Sequence, residues 1–226
     1  MSTRPTPHAV AADVSAGQVR AFLAIRMAPA VHDRVAQLKR GLAATGAAVR
    51  WTRDEGLHLT LKFLGSATVA RLDAVRDALA PLLAEVASFS AHVAGLGVFP
   101  RPERPRIVWV GIQASELARL AGLVEGATSK LGFHTEERPF HGHITLGRIK
   151  DRRGWAALAA ALNEHWHDDF GSFEVRHIIA FRSDLQRDGS VYSELWNIQL
   201  AACIGGGDYG IRRESRACAG SGRQPD

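Results

Sequence analysis

The chain has 226 residues, 46% of them apolar, 23% charged and 7% aromatic, the composition of an ordinary soluble protein with one domain or two small lobes. No apolar run reaches the ~18 residues of a membrane helix, and residues 1–18 lack the apolar centre of a secretory signal, so the expectation is a cytoplasmic protein with no membrane partner. The net charge is +5 and the pI about 9.8. Residues 203–226 hold four Arg against three acids and residues 1–18 one of each, which leaves +4 on the body. That balance suits a polyanion such as RNA without requiring one.

Residues 1–18, rich in Ala, Thr, Ser and Pro, read as a loose leader. Residues 19–27 read as a strand. Pro29 opens a helix carrying Val31, Val35, Leu38 and Leu42, which Gly46 stops. A short strand over 48–51 and a longer one over 57–64 follow. A second helix has Val69, Leu72, Val75, Leu79 and Leu82 on one face, with Pro81 expected to kink or interrupt it. Residues 89–99 form a strand with a break at Gly95 or Gly97. The second half opens with a strand over 106–112. Ser115 caps a helix with Leu117, Leu120, Val124 and Leu131, ended by Gly132. An extended piece over 133–138, a strand over 140–149 and a helix with Trp155, Leu158, Leu162 and Trp166 come next. Strands over 172–182 and 191–201, joined by a turn at Asp188 and Gly189, complete the body. Residues 203–226 read as a disordered tail. The two cysteines, Cys203 and Cys218, both fall there and form neither a disulfide framework nor a CxxC, which fits a reducing compartment.

The two halves repeat. Arg20 and Arg106 begin the opening strands 86 residues apart, Gly46 and Gly132 end the helices 86 apart, and His58 and His143 are 85 apart. The expected fold is therefore α+β, with two pseudo-symmetric lobes over roughly 19–100 and 101–202, and with exchange of strands between them allowed. Each lobe is an antiparallel sheet with helices on its outer face, and the two equivalent strands face a central cleft.

Those strands carry His58-Leu59-Thr60-Leu61 and His143-Ile144-Thr145-Leu146. In a strand, residues i and i+2 share a face, so each motif presents a His and a Thr together over an apolar backing. From composition, HxTL is expected about 0.04 times, and two copies on the order of 0.001 times. Two imidazoles and two hydroxyls converging on one cleft suit phosphodiester chemistry without a metal. One neutral His takes a proton from the attacking water, and the other, as imidazolium, protonates the leaving oxygen. The Thr hydroxyls hold the non-bridging phosphate oxygens. Spacing alone does not say which His is the acid.

Other residues carry weaker signals. Lys62 has the parity of His58 and Thr60 and is a candidate substrate contact, against a solvated lysine. Arg148, five residues after His143, points to the other face under strict alternation unless a bulge brings it round. His141 shares parity with His143 and is a candidate for the cleft rim. His141 with His143, and His165 with His167, raise a metal reading, but no carboxylate is near either motif His in sequence and no metal site is assigned. Trp51, Trp109, Trp155, Trp166 and Trp196 read as core or lobe-interface residues, one of which could stack a base.

At this point the chain resembles the 2H phosphoesterases, and within them the bacterial and archaeal RNA 2′,3′-cyclic phosphodiesterases, also called 2′-5′ RNA ligases. The likeness rests on RAFLAI, VRW, HLTLKFLG, GLGVFP, PRIVWVGI, ERPFHGHITLGR and the S-x-L…G-x-x-Y segment from Ser183 to Tyr192. It implies hydrolysis of a 2′,3′-cyclic phosphate to a 2′-phosphomonoester, together with a weak, reversible 2′-5′ joining of RNA ends. It also implies that His58 is the proton donor, that His143 is the acceptor and that Arg148 meets substrate. No cofactor is implied. The substrate would be RNA with a 2′,3′-cyclic phosphate end, tRNA fragments among them, or a small cyclic nucleotide, and the enzyme a monomer. Where the family usually has Pro before the second His, this chain has Gly142, which is expected to loosen the backbone there. The rival readings are an RNA-end-binding protein without turnover, and a related enzyme acting on another cyclic nucleotide or a 2′-5′ oligonucleotide.

Overall fold

The computed structural model describes residues 17–186 and 189–202. Most of the expected leader, the whole tail with Cys203 and Cys218, and Asp188 of the last turn lie outside the described residues. No helix among the described residues is long and apolar enough to cross a membrane.

The described residues form nine strands and four α-helices, with one turn of 3₁₀ helix over Asp54–Gly56. These are β1 (Gln18–Ile25), α1 (Pro29–Ala43), β2 (Val49–Trp51), β3 (Leu59–Thr68), α2 (Val69–Leu83), β4 (Phe89–Phe99) and β5 (Ile107–Gln113), followed by α3 (Ser115–Lys130), β6 (His143–Ile149), α4 (Trp155–Glu164), β7 (Asp169–Val175), β8 (His177–Gln186) and β9 (Gly189–Gln199). Pro29 stands at the start of α1, and Gly46 and Gly132, both at positive φ, follow α1 and α3. Three expectations change. Helix α2 runs through Pro81. Pro81 lies in the last turn, so only the bond to the carbonyl four residues back is lost. The buried face of α2 is Leu72, Val75, Leu79 and Leu83, while Val69 and Leu82 are exposed. Ser115 does not cap α3: the N-cap is Ala114, with no side-chain bond, and the Ser115 hydroxyl donates to Glu116 (2.8 Å).

All the strands join one antiparallel sheet in the order β7-β4-β5-β6-β3-β1-β8-β9, with β2 added beside β6. The order reads the same outward from its centre: β3-β1-β8-β9 on one side, β6-β5-β4-β7 on the other. The repeat in the sequence is thus a repeat in the sheet. The chain crosses between these half-sheets. β4, from the first half of the sequence, pairs with β5, and β8, from the second, pairs with β1. The expected single strand over 172–182 is two strands, β7 and β8, which change partner at Arg176 from β4 to β1. Helices are shared in the same way. α2 and α3 back the half-sheet of β3 and β9, and α1 and α4 lie over the other, α1 meeting β7 and β2.

The core sits between sheet and helices. Ala21, Leu23 and Ile25 of β1 enter it, and Phe22 and Ala24 face the opposite side with Ile179 and Phe181 of β8. That opposite face carries the two motifs.

Candidate active site

The centre of the sheet is the β3–β6 junction, where Leu59 pairs with Ile144. Both side chains are fully buried and anchor the strands from behind. Extending this antiparallel register by one residue each way sets His58 opposite Thr145 and Thr60 opposite His143. Side chains paired across strands stand roughly 5 Å apart. Each histidine is therefore beside the threonine of the other motif.

His58 sits just ahead of β3. Its ring stacks on Phe22 (centroids 4.7 Å apart) and meets Tyr192 edge-on at 5.2 Å, with Phe181 at 6.1 Å. Burial pushes its pKa down to about 4, against a hydrogen bond to the Gly56 backbone that favours the charged ring; Arg26 lowers it further. The loop leading to it is tied to α1. Lys39, itself buried, donates to Asp54 and to the Thr52 carbonyl, Arg40 donates to Asp54 (2.7 Å), and His32 Nε2 donates to the Asp54 carbonyl (2.8 Å). The bonds and charges of Lys39 and Arg40 hold the Asp54 carboxyl below its ordinary range.

His143 donates through Nδ1 to the carbonyl of His141 (2.8 Å). A carbonyl only accepts, so Nδ1 carries the proton, and the Nε2 of the neutral ring is left as a base. Its pKa lies below the usual value, chiefly through burial, against the hydrogen bond to the His141 carbonyl that favours the charged ring; the charges of His141 and Arg148 lower it further. Its ring meets Phe99 edge-on at 5.0 Å.

A cleft of about 420 Å³ opens over this junction. Its lining includes His58, Thr60, Thr145, Arg148, Ser183 and Tyr192, and four further residues that sequence reasoning had not marked: Arg20, Arg50, Phe63 and Leu185. His143 flanks the cleft and does not line it. His141, exposed, lines a separate cavity on the far side of His143.

Lys62 is not in the cleft. It is 5% exposed and donates to both carboxylate oxygens of Glu125 (2.7 Å each) and to the His134 carbonyl, on the helix side of the sheet. The cause is a β-bulge. Ala24 pairs with Thr60 and Leu23 with Lys62, so Leu61 is an extra residue in β3. From there alternation is reversed: Lys62 turns to the core face of Leu23, and Phe63, opposite Phe22, turns to the cleft.

The second motif repeats the device. Trp109 pairs with Thr145 and Val108 with Gly147, so Leu146 is extra, and Arg148 comes to the cleft. Phe63 and Arg148 are equivalent, each five residues after its histidine. Arg50 lies directly opposite Arg148 in the β2–β6 pair. Like charges facing across a ladder are unfavourable, and an anion between them removes the conflict.

Gly142 is pinned rather than loose. Its carbonyl accepts from the Ile112 N–H (3.1 Å), and a Cβ at this position would fall 2.4 Å from the Ile112 carbonyl oxygen. Neither His141 with His143 nor His165 with His167 gains a third His, Cys, Asp or Glu placed to hold a metal among the described residues. His165 instead bonds Asp168 (2.7 Å). Trp51, Trp155 and Trp196 pack against the core, whereas Trp166 falls beyond the end of α4 and is 46% exposed.

A family model described as LigT-like phosphoesterase matches the chain twice, over residues 25–109 and 110–192. A protein of Aeropyrum pernix named RNA 2′,3′-cyclic phosphodiesterase is 38% identical over 171 residues, covering 75% of this chain and 96% of that protein. One of the same name from Thermotoga maritima is 30% identical over 189 residues, covering 80% and 96%. Among solved structures, a protein of Thermus thermophilus superposes with a TM-score of 0.69 at 25% identity, over 81% of this chain and 98% of that one. E. coli LigT complexed with 3′-AMP superposes at 0.64 and 23% identity, over 81% and 98%, a likeness of fold. With both halves matched and their two motifs meeting at the centre of one sheet, the chain belongs to the LigT-like phosphoesterase family.

Proposed function

We propose that the chain hydrolyses the 2′,3′-cyclic phosphate at an RNA end to a 2′-phosphomonoester, by two-histidine acid–base catalysis without a metal. The observation that carries this reading is the register at the β3–β6 junction, which sets each histidine beside the threonine of the other motif. The names of the Aeropyrum and Thermotoga relatives support the same substrate.

In this mechanism the cyclic phosphate lies over the junction. The Thr60 and Thr145 hydroxyls donate to its non-bridging oxygens, and Arg148 and Arg50 neutralise its charge. His143 Nε2 takes a proton from water as the new P–O bond forms. The P–O3′ bond breaks, and His58 gives its proton to O3′. In the empty site His58 is neutral at pH 7, because its pKa is about 4. An anionic phosphate beside the ring favours the imidazolium, so substrate binding charges the acid. Phe63 and Leu185, 68% and 67% exposed at the cleft rim, offer apolar surface to the base, and Arg20 offers charge to upstream phosphates. That rim favours RNA ends, tRNA fragments included, over small cyclic nucleotides. One chain supplies both motifs, and the enzyme is read as a cytoplasmic monomer.

The test is a short RNA with a 2′,3′-cyclic phosphate end, incubated in EDTA with the wild type, His58→Ala and His143→Ala. The wild type should form a 2′-phosphate, and each variant should lose about 100-fold or more in turnover. Near-normal turnover in both variants would sink the acid–base assignment. Activity lost in EDTA and restored by a divalent ion would sink metal independence, and tight binding without turnover by the wild type would make the protein an RNA-end binder.

A further inference from the structure

We infer that Lys39 and Asp54 are positioning residues for His58: the buried ammonium and its carboxylate fix the turn whose Gly56 carbonyl aims the imidazole of the general acid. This rests on the acid–base reading above.

The two histidines are held by different means. His143 opens β6 and has a ladder partner in Gly111. His58 stands outside the ladder: β3 begins at Leu59, and its pairing with β1 ends at Ile25 and Leu59. Each ring bonds the backbone two residues upstream, His143 at the His141 carbonyl and His58 at Gly56. The Gly56 bond favours the charged ring, so the ring donates and the carbonyl accepts. With Nδ1 committed there, Nε2 is the nitrogen left for O3′. Beside His143, Gly142 is tied to Ile112 of β5 (3.1 Å). Gly56 belongs instead to the 3₁₀ turn Asp54–Gly56, and something else must fix it.

Helix α1 does so. Lys39 donates to the Asp54 carboxylate and to the Thr52 carbonyl, Arg40 donates to the other Asp54 oxygen, and His32 donates to the Asp54 carbonyl. His32, Lys39 and Arg40 stand at i, i+7 and i+8, on one face of the helix. Thr52 is tied on its other side as well, its N–H donating to the carbonyl of Leu146 (2.8 Å) inside the second motif. Gly56 is wedged between parts so held. A Cβ there would fall 3.0 Å from the Thr52 methyl and 3.2 Å from the Tyr192 ring, which also meets His58 edge-on.

Lys39 and Lys62 are the buried lysines among the described residues. Lys62 joins β3 to α3 on the helix side, away from the chemistry. Lys39 ends on the loop that leads into the acid. Desolvating an ammonium can cost more than its pairing returns, and an apolar side chain of similar volume packs as well. What the ammonium adds is direction, because it ties the Asp54 carboxylate and the Thr52 carbonyl to one point. A reacting group misplaced by about 1 Å can lose roughly 100-fold in rate. The clamp therefore acts on the chemical step and leaves substrate binding alone.

Three variants test this. Lys39→Met keeps the length and removes the charge, Asp54→Asn keeps the shape, and Lys62→Met cuts the other buried lysine as a control for destabilisation alone. Each is assayed on a short RNA with a 2′,3′-cyclic phosphate end, and nitrogen-15 NMR of the empty enzyme at pH 7 reads the tautomer of each histidine. The wild type should hold His58 as the Nδ1–H tautomer. Lys39→Met should lower kcat about tenfold with KM within about twofold, and should mix the His58 tautomers while leaving His143 as it was. Asp54→Asn should move the same readouts in the same direction. Lys62→Met should lower Tm, with kcat within about twofold of wild type. Normal kcat in folded Lys39→Met and Asp54→Asn, a rise in KM alone, or a wild-type His58 protonated at Nε2 would overturn the positioning role. If Lys39→Met does not fold, Asp54→Asn decides by the same criteria. A wild type without turnover would overturn the acid–base reading, and the tautomers would then decide whether the clamp aims the ring.

Discussion

His58, held between Phe22 and Tyr192, stays neutral until about pH 4 in the empty site, and His143 also titrates below its ordinary value. The base must be neutral and the acid protonated. Activity of the free enzyme is then lost on the acid side through His143 and on the alkaline side through His58. The kcat/KM optimum should accordingly lie below pH 6.5, with the limbs of kcat moved upward by the bound phosphate; a kcat/KM optimum above pH 7.5 would contradict this. The same shifts act on stability. An unfolded His takes up its proton near 6.5 and the folded one only at lower pH, so stability should fall as pH drops from 6.5 toward 4. Urea denaturation at pH 7 and pH 5 would read it, and stability equal or higher at pH 5 would contradict it. Phe63 has no role in proton transfer. Phe63→Ala should raise KM roughly fivefold, the equivalent of about 1 kcal/mol of base stacking, with little change in kcat. A fall in kcat alone would place Phe63 elsewhere in the mechanism.

At the scale of elements, the paired bulges organise the site. One extra residue, Leu61 in β3 and Leu146 in β6, sends the next side chain to the core and the one after to the cleft. The outward exchange brings Phe63 and Arg148 to substrate, and the inward one makes Lys62 a clamp between β3 and α3. Removing one partner of such a mostly buried pair leaves the other unsatisfied. Lys62→Ala should therefore cost about 2 kcal/mol and leave the KM of the folded fraction unchanged. A KM raised tenfold with stability intact would return Lys62 to the substrate. The segment before His143 is fixed by proximity: Gly142→Ala forces Cβ onto the Ile112 carbonyl and should cost about 1–3 kcal/mol, read as a lowered Tm. An unchanged Tm would mean that the strand yields there.

At the scale of the molecule, neither half of the sequence has its own layer. Each half-sheet takes strands from both halves, and α1 and α3 each cross to the half-sheet that their preceding strand does not join. The protein should unfold in one cooperative transition, with calorimetric and van't Hoff enthalpies equal. Fragments 1–100 and 101–226 should not fold apart. Two resolved transitions, or a folded isolated fragment, would show that the lobes are independent.

Most of the elements, their repeat and the two HxTL motifs were legible in the chain alone. Local patterns encode these: apolar period, a proline at a helix start, glycines at positive φ, and the i, i+2 geometry that puts His and Thr on one face. Strict alternation carried Lys62 toward the cleft and kept Phe63 out of it, because a bulge is a property of pairing with a neighbour strand and leaves no mark in the periodicity of HLTLKFLG. Likewise the residues 172–182 alternate without a visible break, although the partner strand changes at Arg176. Arg20, Arg50 and Leu185 reach the cleft from segments far from either motif. Which strands meet, and which side chains therefore share a face, is fixed by burying both half-sheets against shared helices. Only the tertiary structure decides that, because the contacts responsible join residues distant in the chain.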